Sequence, residues 1–293
     1  MPPTETIPPD QAAERALAPP PRTIRLEPTH GFSRVLSPSE LWRYRDLALQ
    51  LVVRDITLRY RQTALGAAWA ILQPVAFMAI FSIFFARIAG DSTEGVPYAL
   101  FALAGIVPWI YFSNALLQAA ESLVINTQLV AKIYFPRIFM PLGVVGAGGI
   151  DFLVGLVILL AIVLIYGIVP SAAILILPVV ILVTMMLALG AGAALAAINV
   201  RYRDVRYAVP FTIQAWFFIT PIVYGSSVLS EPWRTIAAIN PMVGVVEAFR
   251  WAVLDTPHPS WAILGISFGS AMVIVFAGLA YFDRVERSFA DVI

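Results

Sequence analysis

The sequence contains no cysteine, only two histidines and a single lysine among its 293 residues. Without cysteine the chain cannot form disulfides, thiolate nucleophiles or cysteine-ligated metal sites. The lysine, Lys132, stands in Val-Ala-Lys-Ile, whereas a phosphate-binding loop requires Gly-Lys followed by Ser or Thr. We therefore expect the chain to bind no cofactor itself, and any ATP-driven action must use a separate subunit.

Charged residues are also scarce, at 13% of the chain, against about a quarter in a typical soluble domain. Hydrophobic residues make up 60%, and several apolar runs approach the ~20 residues that are needed to cross a bilayer. These runs predict spans near residues 65–89, 98–119, 141–168, 171–198, 208–229 and 261–282. The expected fold is an all-α integral membrane protein with six transmembrane helices.

The basic residues are distributed unevenly between the two sides of these spans. Sixteen of the nineteen lie in the terminal segments and in the second and fourth loops, and only Arg87, Arg234 and Arg250 lie on the other side. Basic residues mark the cytoplasmic side, so both termini are expected there. Residues 1–37 are rich in proline and lack the apolar core of a signal peptide, which predicts a disordered cytoplasmic tail before a membrane domain at 38–293.

A capping box, Ser37-Pro38-Ser39-Glu40, precedes the first span and predicts a helix over residues 38–61. Two apolar stripes are expected on this helix, with arginines between them. One comprises Trp42, Leu49, Val53, Ile56 and Tyr60, and the other comprises Leu47, Leu51 and Leu58. This pattern is typical of an amphipathic helix that lies among lipid headgroups, the alternative being a soluble core helix.

Residues 231–260 lie outside by this topology, yet they contain two apolar segments that are too short to cross a membrane. Asn240-Pro241 would form the turn of a re-entrant helical hairpin, and a surface loop is the alternative. Glu247 and Arg250 are three residues apart on one helix face, so we expect a local ion pair in preference to a proton relay.

Of the prolines within predicted spans, three would break or kink their helices, namely Pro74, Pro108 and Pro221. Such breaks persist in a membrane only where protein or a water-filled cavity satisfies the freed backbone. They mark either a transport path or simple packing kinks. Asp151, near the start of a long span, is expected at the inner interface in a structural role, although a buried acid is also a functional candidate.

The segment that leads into the first span carries a recognisable motif. Arg-Asp-Ile-Thr-Leu-Arg-Tyr-Arg-Gln-Thr-Ala-Leu-Gly, residues 54–66, continues through Trp69 to Leu72-Gln73-Pro74. It resembles the corresponding segment of type-2 ABC exporter permeases, most closely the polysaccharide branch that moves O-antigen, capsule, teichoic acid or related cell-envelope glycans. Further stretches agree over residues 38–285, namely Asn199 to Asp204, Thr220 to Tyr224, Asn240-Pro241 and Glu247 to Arg250.

The resemblance implies a homodimer in the bacterial cytoplasmic membrane, joined to two copies of an ABC ATPase that use ATP and magnesium, with a lipid-linked glycan passing between the permeases. It implies a membrane-interface helix that includes Trp42, Arg54, Asp55, Arg59, Tyr60 and Arg61. It implies an ATPase-coupling loop that includes Asn126, Gln128, Lys132, Tyr134, Phe135 and Arg137, the last three offering an aromatic and basic surface. It implies a re-entrant gate formed by Asn240, Pro241, Glu247 and Arg250.

Aromatic side chains are plentiful in the spans, and their apolar faces can bind sugar rings. Most of these aromatics are expected to pack helices or form an interfacial belt, and the candidate glycan path is the subset Trp69, Phe77, Phe81, Trp109, Tyr111, Trp216 and Tyr224.

Two other functions remain open at this stage. One is a type-2 permease for a drug or small lipid. The other is a membrane-embedded glycosyl- or acyltransferase, which would need a cluster of catalytic carboxylates or histidines that the sequence does not display. We expect a non-catalytic transport subunit with no nucleic-acid partner.

Overall fold

The computed structural model describes residues 42–60, 68–89, 93–132 and 135–286. These residues are helical or irregular, and none of them forms a strand. The predicted proline-rich tail at 1–37, the capping box, Arg61 and Tyr134 lie outside the described residues, as do the side chains of Tyr60 and Lys132.

Ten α-helices make up the described chain. They are α1 Arg45–Tyr60, α2 Ala68–Ala89, α3 Tyr98–Ile125, α4 Thr127–Lys132, α5 Phe139–Ile165, α6 Leu177–Arg201, α7 Val205–Ile219, α8 Trp233–Ala237, α9 Pro241–Leu254 and α10 Trp261–Glu286. Four segments are long and apolar enough to cross a membrane: α3, α5, α6 with the 3₁₀ turn before it, and α10. The all-helical membrane fold is thereby confirmed at this level.

The predicted span at 208–229 is not one continuous helix, and the break that was expected at Pro221 is present. Helix α7 ends at Ile219, and Thr220 adopts an extended conformation directly before Pro221. The proline ring disfavours the helical conformation of the preceding residue and removes one backbone donor, which explains the break. Pro74 and Pro108, in contrast, lie inside helices that continue past them.

Helix α3 lies at the centre of the fold. It packs along α5 and α6 and also contacts α2 and α9. Most of its apolar side chains are buried, including Phe101 and Phe112 with no more than 1% of their surface exposed. A helix that is apolar around its whole circumference is expected to be buried in this way.

Helix α1 packs on α5, with Leu51 buried and Leu47 partly buried. Trp42, Leu49 and Val53 lie on the exposed face, as predicted for the other stripe. Leu58 was expected with Leu47 and Leu51, but it is 61% exposed, so that part of the predicted pattern is wrong. The three residues share one helix face by their spacing, but only Leu47 and Leu51 are covered in the structure.

Helices α6 and α10 approach each other closely at Gly190 and Gly278. A Cβ atom at Gly190 would meet the Val275 Cα atom at 2.6 Å, and a Cβ atom at Gly278 would collide with the Gly190 carbonyl oxygen. Both obstacles are backbone atoms, which cannot move aside by changing rotamer. Small residues allow such close contact between membrane helices, where dispersion replaces the hydrophobic effect as the attractive force.

We predict that Gly278→Ala lowers the free energy of unfolding by about 1–3 kcal/mol, the usual cost of overpacking. Gly269→Ala is the matched control, because it adds the same methyl group to α10 where nothing lies within 4 Å. Thermal unfolding in detergent micelles measures both variants. Equal unfolding temperatures for the two would contradict the close crossing.

Candidate functional site

Besides the exposed ion pair Arg45–Asp46, the charged residues of α1 form two further groups. Arg54 donates to the neighbouring Asp55 carboxylate at 2.8 Å. Arg59 is ion-paired with Asp151 of α5, and its second terminal nitrogen donates to the Gln118 side-chain oxygen of α3 at 2.7 Å. The contacts of Arg59 join α1, α3 and α5, because a guanidinium carries several donors in one plane.

The expectation of a structural role for Asp151 is consistent with this geometry, but the sequence did not identify its partner. Arg59 and Asp151 are 92 residues apart in the chain. One signal was available, since Asp151 is the single charged residue in the predicted span 141–168. Such a charge is costly at membrane depth unless a partner of opposite charge compensates it.

A cavity of about 350 Å³ lies beside this ion pair, between α1, α2, α3 and α5. Two residues of the predicted glycan path, Trp69 and Tyr111, line it. Tyr111 is buried, stacks on Phe152 with ring centroids 4.8 Å apart, and donates its hydroxyl proton to the Val145 carbonyl.

The other path candidates lie in an aromatic cluster between α2, α3 and α7. Trp109 is 5% exposed and contacts the rings of Phe112, Trp216 and Phe217. Phe81 stacks between Phe77 and Phe217, and Tyr224 is partly buried beyond the end of α7. Each contact involves aromatic rings of the same chain, so in this structure the cluster packs helices together.

Only part of the predicted coupling loop is exposed. Gln128 is exposed on α4, and Asn126 ends α3, where its amide donates to the Ser122 carbonyl at 2.8 Å. Phe135 was expected on the surface, but that expectation is wrong, because it is 6% exposed and packs in a buried cluster with Leu123.

Arg137 follows Phe135 and connects this loop to the end of α10. Its side chain donates to the Glu286 carbonyl, and its backbone N–H donates to the Glu286 carboxylate, both at 2.9 Å. Arg137 therefore joins this loop to the C-terminal end of α10.

Asn240 connects the broken end of α7 to the start of α9. Its oxygen accepts from the Met242 backbone N–H at 3.0 Å and from the Trp216 indole N–H at 2.8 Å. Its amide donates to the Thr220 hydroxyl at 2.9 Å, and Pro241 occupies the first turn of α9. The residue is thus an N-cap with two further tertiary bonds, which explains Asn-Pro at this turn.

Arg250 lies on α9 and is buried, with 3% of its surface exposed. Its guanidinium donates to three backbone carbonyls, those of Phe101 at 3.2 Å, Pro221 at 2.9 Å and Ile222 at 2.5 Å. It also lies 3.6 Å from the centroid of the Phe101 ring. A Cβ atom at Gly105 would meet Arg250 Nη2 at 2.7 Å, so the guanidinium requires glycine there.

Glu247 was expected to pair with Arg250, and this expectation is wrong. The residue is 8% exposed, and neither carboxylate oxygen has a hydrogen-bond partner within the described part of the chain. Arg250 instead directs its donors to the carbonyls at the α7 break. Both side chains line a small cavity of about 70 Å³, together with Arg234 and Glu94.

Glu94 lies in the loop between α2 and α3. Burial raises the pKa of the Glu94 carboxyl above its ordinary value, and the nearby Arg250 charge opposes that rise. Glu94 and Glu247 place negative charge near the buried Arg250 guanidinium. Within residues 42–60, 68–89, 93–132 and 135–286, no group of three His, Asp or Glu side chains is positioned to hold a metal ion.

We predict that Arg250→Lys destabilises the protein, because one ammonium group cannot reach three carbonyls and leaves buried acceptors without partners. Each unsatisfied buried group costs about 1–3 kcal/mol. Exchanging both charges, Glu247→Arg with Arg250→Glu, should give no rescue, since a carboxylate cannot donate to carbonyls.

The exposed Arg203→Lys is the matched control for this prediction. Fluorescence-detected size-exclusion chromatography and thermal unfolding report the folded fraction of each variant. If Arg250→Lys and Arg203→Lys were equally stable, or if the double exchange restored folding, the hydrogen bonds from Arg250 to the three carbonyls would not be what stabilises the protein.

Comparison with known proteins identifies the family of this chain. The family model described as "ABC-2 type transporter" matches residues 47–254, which include the break, Asn240 and Arg250. The O-antigen export system permease protein RfbA of Myxococcus xanthus is 30% identical over 254 residues, 86% of this chain and 97% of that protein. A protein of the same name from Klebsiella pneumoniae is 25% identical over 85% of this chain and 95% of its own.

The polysialic acid transport protein KpsM of Escherichia coli is also similar. It is 24% identical over 81% of this chain and 93% of its own length. The similarity therefore covers nearly the whole of these relatives. The chain belongs to the ABC-2 type transporter family.

Proposed function

We propose that this chain is the membrane-spanning permease subunit of an ABC exporter that moves a polysaccharide, carried on a lipid, out across the bacterial cytoplasmic membrane. Its similarity to permeases named for O-antigen export and polysialic acid transport, over nearly their full length, is the observation that carries the proposal. ATP hydrolysis would occur in a separate subunit, because the only lysine of this chain lies in no phosphate-binding loop.

Of the three functions that the sequence left open, the similarity to known transporters favours glycan export. A match to a transporter family over residues 47–254 argues against a glycosyl- or acyltransferase. The names of the relatives favour a glycan over a drug or small lipid. The subunit would therefore bind, align and release its substrate without making or breaking a covalent bond.

In the proposed arrangement, α2, α3, α5, α6, α7 and α10 cross the membrane. The length and composition of α3, α5, α6 and α10 support four of these crossings. Six crossings would put both termini in the cytoplasm. Helices α8 and α9 would form the re-entrant hairpin on the outer side, held at the end of α7 by Asn240 and Arg250. Two copies of the chain would enclose the path.

Energy would enter through α4 and the residues around it. Gln128 is exposed on this short helix and is available for contact with an ATPase. The bonds between Arg137 and Glu286 would transmit a displacement of the loop to α10, because they join the two segments directly. Phe135 would support the loop from inside.

We predict that Ser260→Cys reacts with a membrane-impermeant maleimide from the outer side only, and Gln128→Cys from the cytoplasmic side only. Both residues are exposed, and the chain contains no other cysteine to react. Right-side-out and inverted membrane vesicles make the two sides accessible separately. Labelling of both cysteines from one side would overturn the topology.

We predict that deleting this gene in its source bacterium leaves a glycan trapped inside the cytoplasmic membrane. Restoring the chain should recover surface glycan only when the partner ATPase has an intact phosphate loop. Extraction of glycan from the cell surface and from the cytoplasm measures the two pools.

Two results would contradict the exporter assignment. One is normal surface glycan in cells whose partner ATPase is inactivated. The other is unchanged surface glycan after deletion of this gene, with another substrate accumulating inside.

A further inference from the structure

The cavity of about 350 Å³ beside Arg59 and Asp151 has the lining of a carbohydrate site. It is bordered by Arg59, Trp69, Gln73, Tyr111, Asn114, Gln118 and Asp151, with apolar residues of α3 and α5 completing the wall. Its volume is near the lower end of the ~300–1,000 Å³ that is typical of small-molecule pockets. The space suits a short unit and not a long polymer.

The hydrogen-bonding groups on this wall are only partly used. Within the described chain, the side chains of Gln73 and Asn114 form no hydrogen bond, and Gln118 uses only its oxygen, which accepts from Arg59. These amides can donate to and accept from a ligand at the same time. Hydroxyl groups, which also donate and accept, are their natural counterpart.

The charge of the cavity argues against an anionic ligand. Among the described residues of the lining, Arg59 is the one with a positive charge, and it is ion-paired with Asp151. The terminal nitrogens of Arg59 already donate to Asp151 and Gln118. A phosphate would thus meet an adjacent carboxylate and a cation that is already paired, so an uncharged polar ligand is favoured.

Trp69 supplies the remaining element of a sugar site. It lines the cavity and is 55% exposed, so much of its ring is free to contact a ligand. An aromatic face binds apolar surface, and a sugar ring presents C–H groups on one side and hydroxyls at its edge. One aromatic face beside three amides matches that distribution.

We propose that this cavity, formed within one protomer between α1, α2, α3 and α5, binds a neutral sugar unit of the exported glycan before it passes between the protomers. The proposal rests on the proposed function and names a substrate subsite for it. In the proposed orientation the cavity lies in the cytoplasmic half of the membrane domain, because it is lined by the start of α2. Its position beside the lipid-facing α1 would admit a sugar that is attached to a lipid.

Cysteine protection tests the site directly. The full-length Asn114→Cys protein, in nanodiscs of phosphatidylethanolamine and phosphatidylglycerol, is reacted with N-ethylmaleimide in the presence of four short-chain amphiphiles. These are decyl glucoside, decyl triethylene glycol, 1-O-decylglycerol and decyl phosphate. We expect decyl glucoside to slow labelling severalfold, and the matched triethylene glycol compound to leave the rate unchanged.

Matched variants separate binding from general effects of the amphiphiles. Val157→Cys lies on α5 outside the cavity and should label at the same rate under all four conditions. Adding Trp69→Ala to Asn114→Cys should abolish protection by the glucoside, and Trp69→Phe should retain part of it. Ile110→Cys, also on the cavity wall, serves as a second reporter if Asn114→Cys misfolds.

Equal protection by decyl glucoside and the triethylene glycol compound would overturn the proposal, as would protection by decyl phosphate alone. Protection by decylglycerol at the level of the glucoside would assign the cavity to lipid headgroups and also overturn it. The assay requires neither ATPase nor transport, so a failed export experiment with intact protection would refute the proposed function and leave the sugar site standing.

Discussion

A buried guanidinium that satisfies the carbonyls at a helix break is the interaction on which the architecture depends most. In a membrane, backbone polar groups that lose their helical partners must find others within the protein. Helix α7 ends directly before Thr220 and Pro221, and Arg250 donates to the Pro221 and Ile222 carbonyls at this break. Its third bond, to Phe101, attaches the break to the central helix α3.

A second charged group connects helices near the other end of α3. Arg59, from α1, reaches Gln118 of α3 and Asp151 of α5. Phe101 and Gln118 are separated along α3 by about 25 Å at 1.5 Å per residue, close to the ~30 Å of a bilayer core. The two arginines therefore bind the central helix near its opposite ends, where charge is less costly than at the middle of the membrane.

Between these anchors the helices pack through small residues and aromatic rings. Gly190 and Gly278 bring α6 and α10 into backbone contact, and Trp109 packs with Trp216 and Phe217 where α3 meets α7. Helix α9 is buried along almost its whole length, whereas α1 and α2 expose apolar side chains such as Leu58 and Trp69.

Apolar runs and the motif around residues 54–66 were sufficient to predict the helical membrane fold and the family. Local chemistry also predicted the Asn240-Pro241 turn and the disruption at Pro221. Tertiary partners could not be read in the same way. Spacing on one helix suggested that Glu247 pairs with Arg250, whereas the unsatisfied carbonyls, which no side-chain pattern reveals, compete more strongly for the guanidinium.

The same limitation applies to Phe135 and to the polar cavity. An aromatic residue beside basic ones is typical of a protein contact surface, but the buried cluster around Leu123 encloses the Phe135 ring. The cavity brings together residues of four helices, from Arg59 to Asp151, and only the folded chain brings their amides to one wall. Spacing places Trp69 with Gln73 on one face of α2 and Asn114 with Gln118 on one face of α3, but it does not show that these two faces meet.

Reconstitution in vesicles tests ATP-driven glycan export by this chain. Vesicles would contain the purified permease, its cognate ATPase and a lipid-linked glycan from the source bacterium in the outer leaflet, with ATP supplied outside. The account predicts that the glycan becomes resistant to an added glycosidase as it enters the lumen, only with ATP, and only when both subunits are present. Glycan that stays fully digestible while ATP is hydrolysed, or that enters without the ATPase, would contradict it.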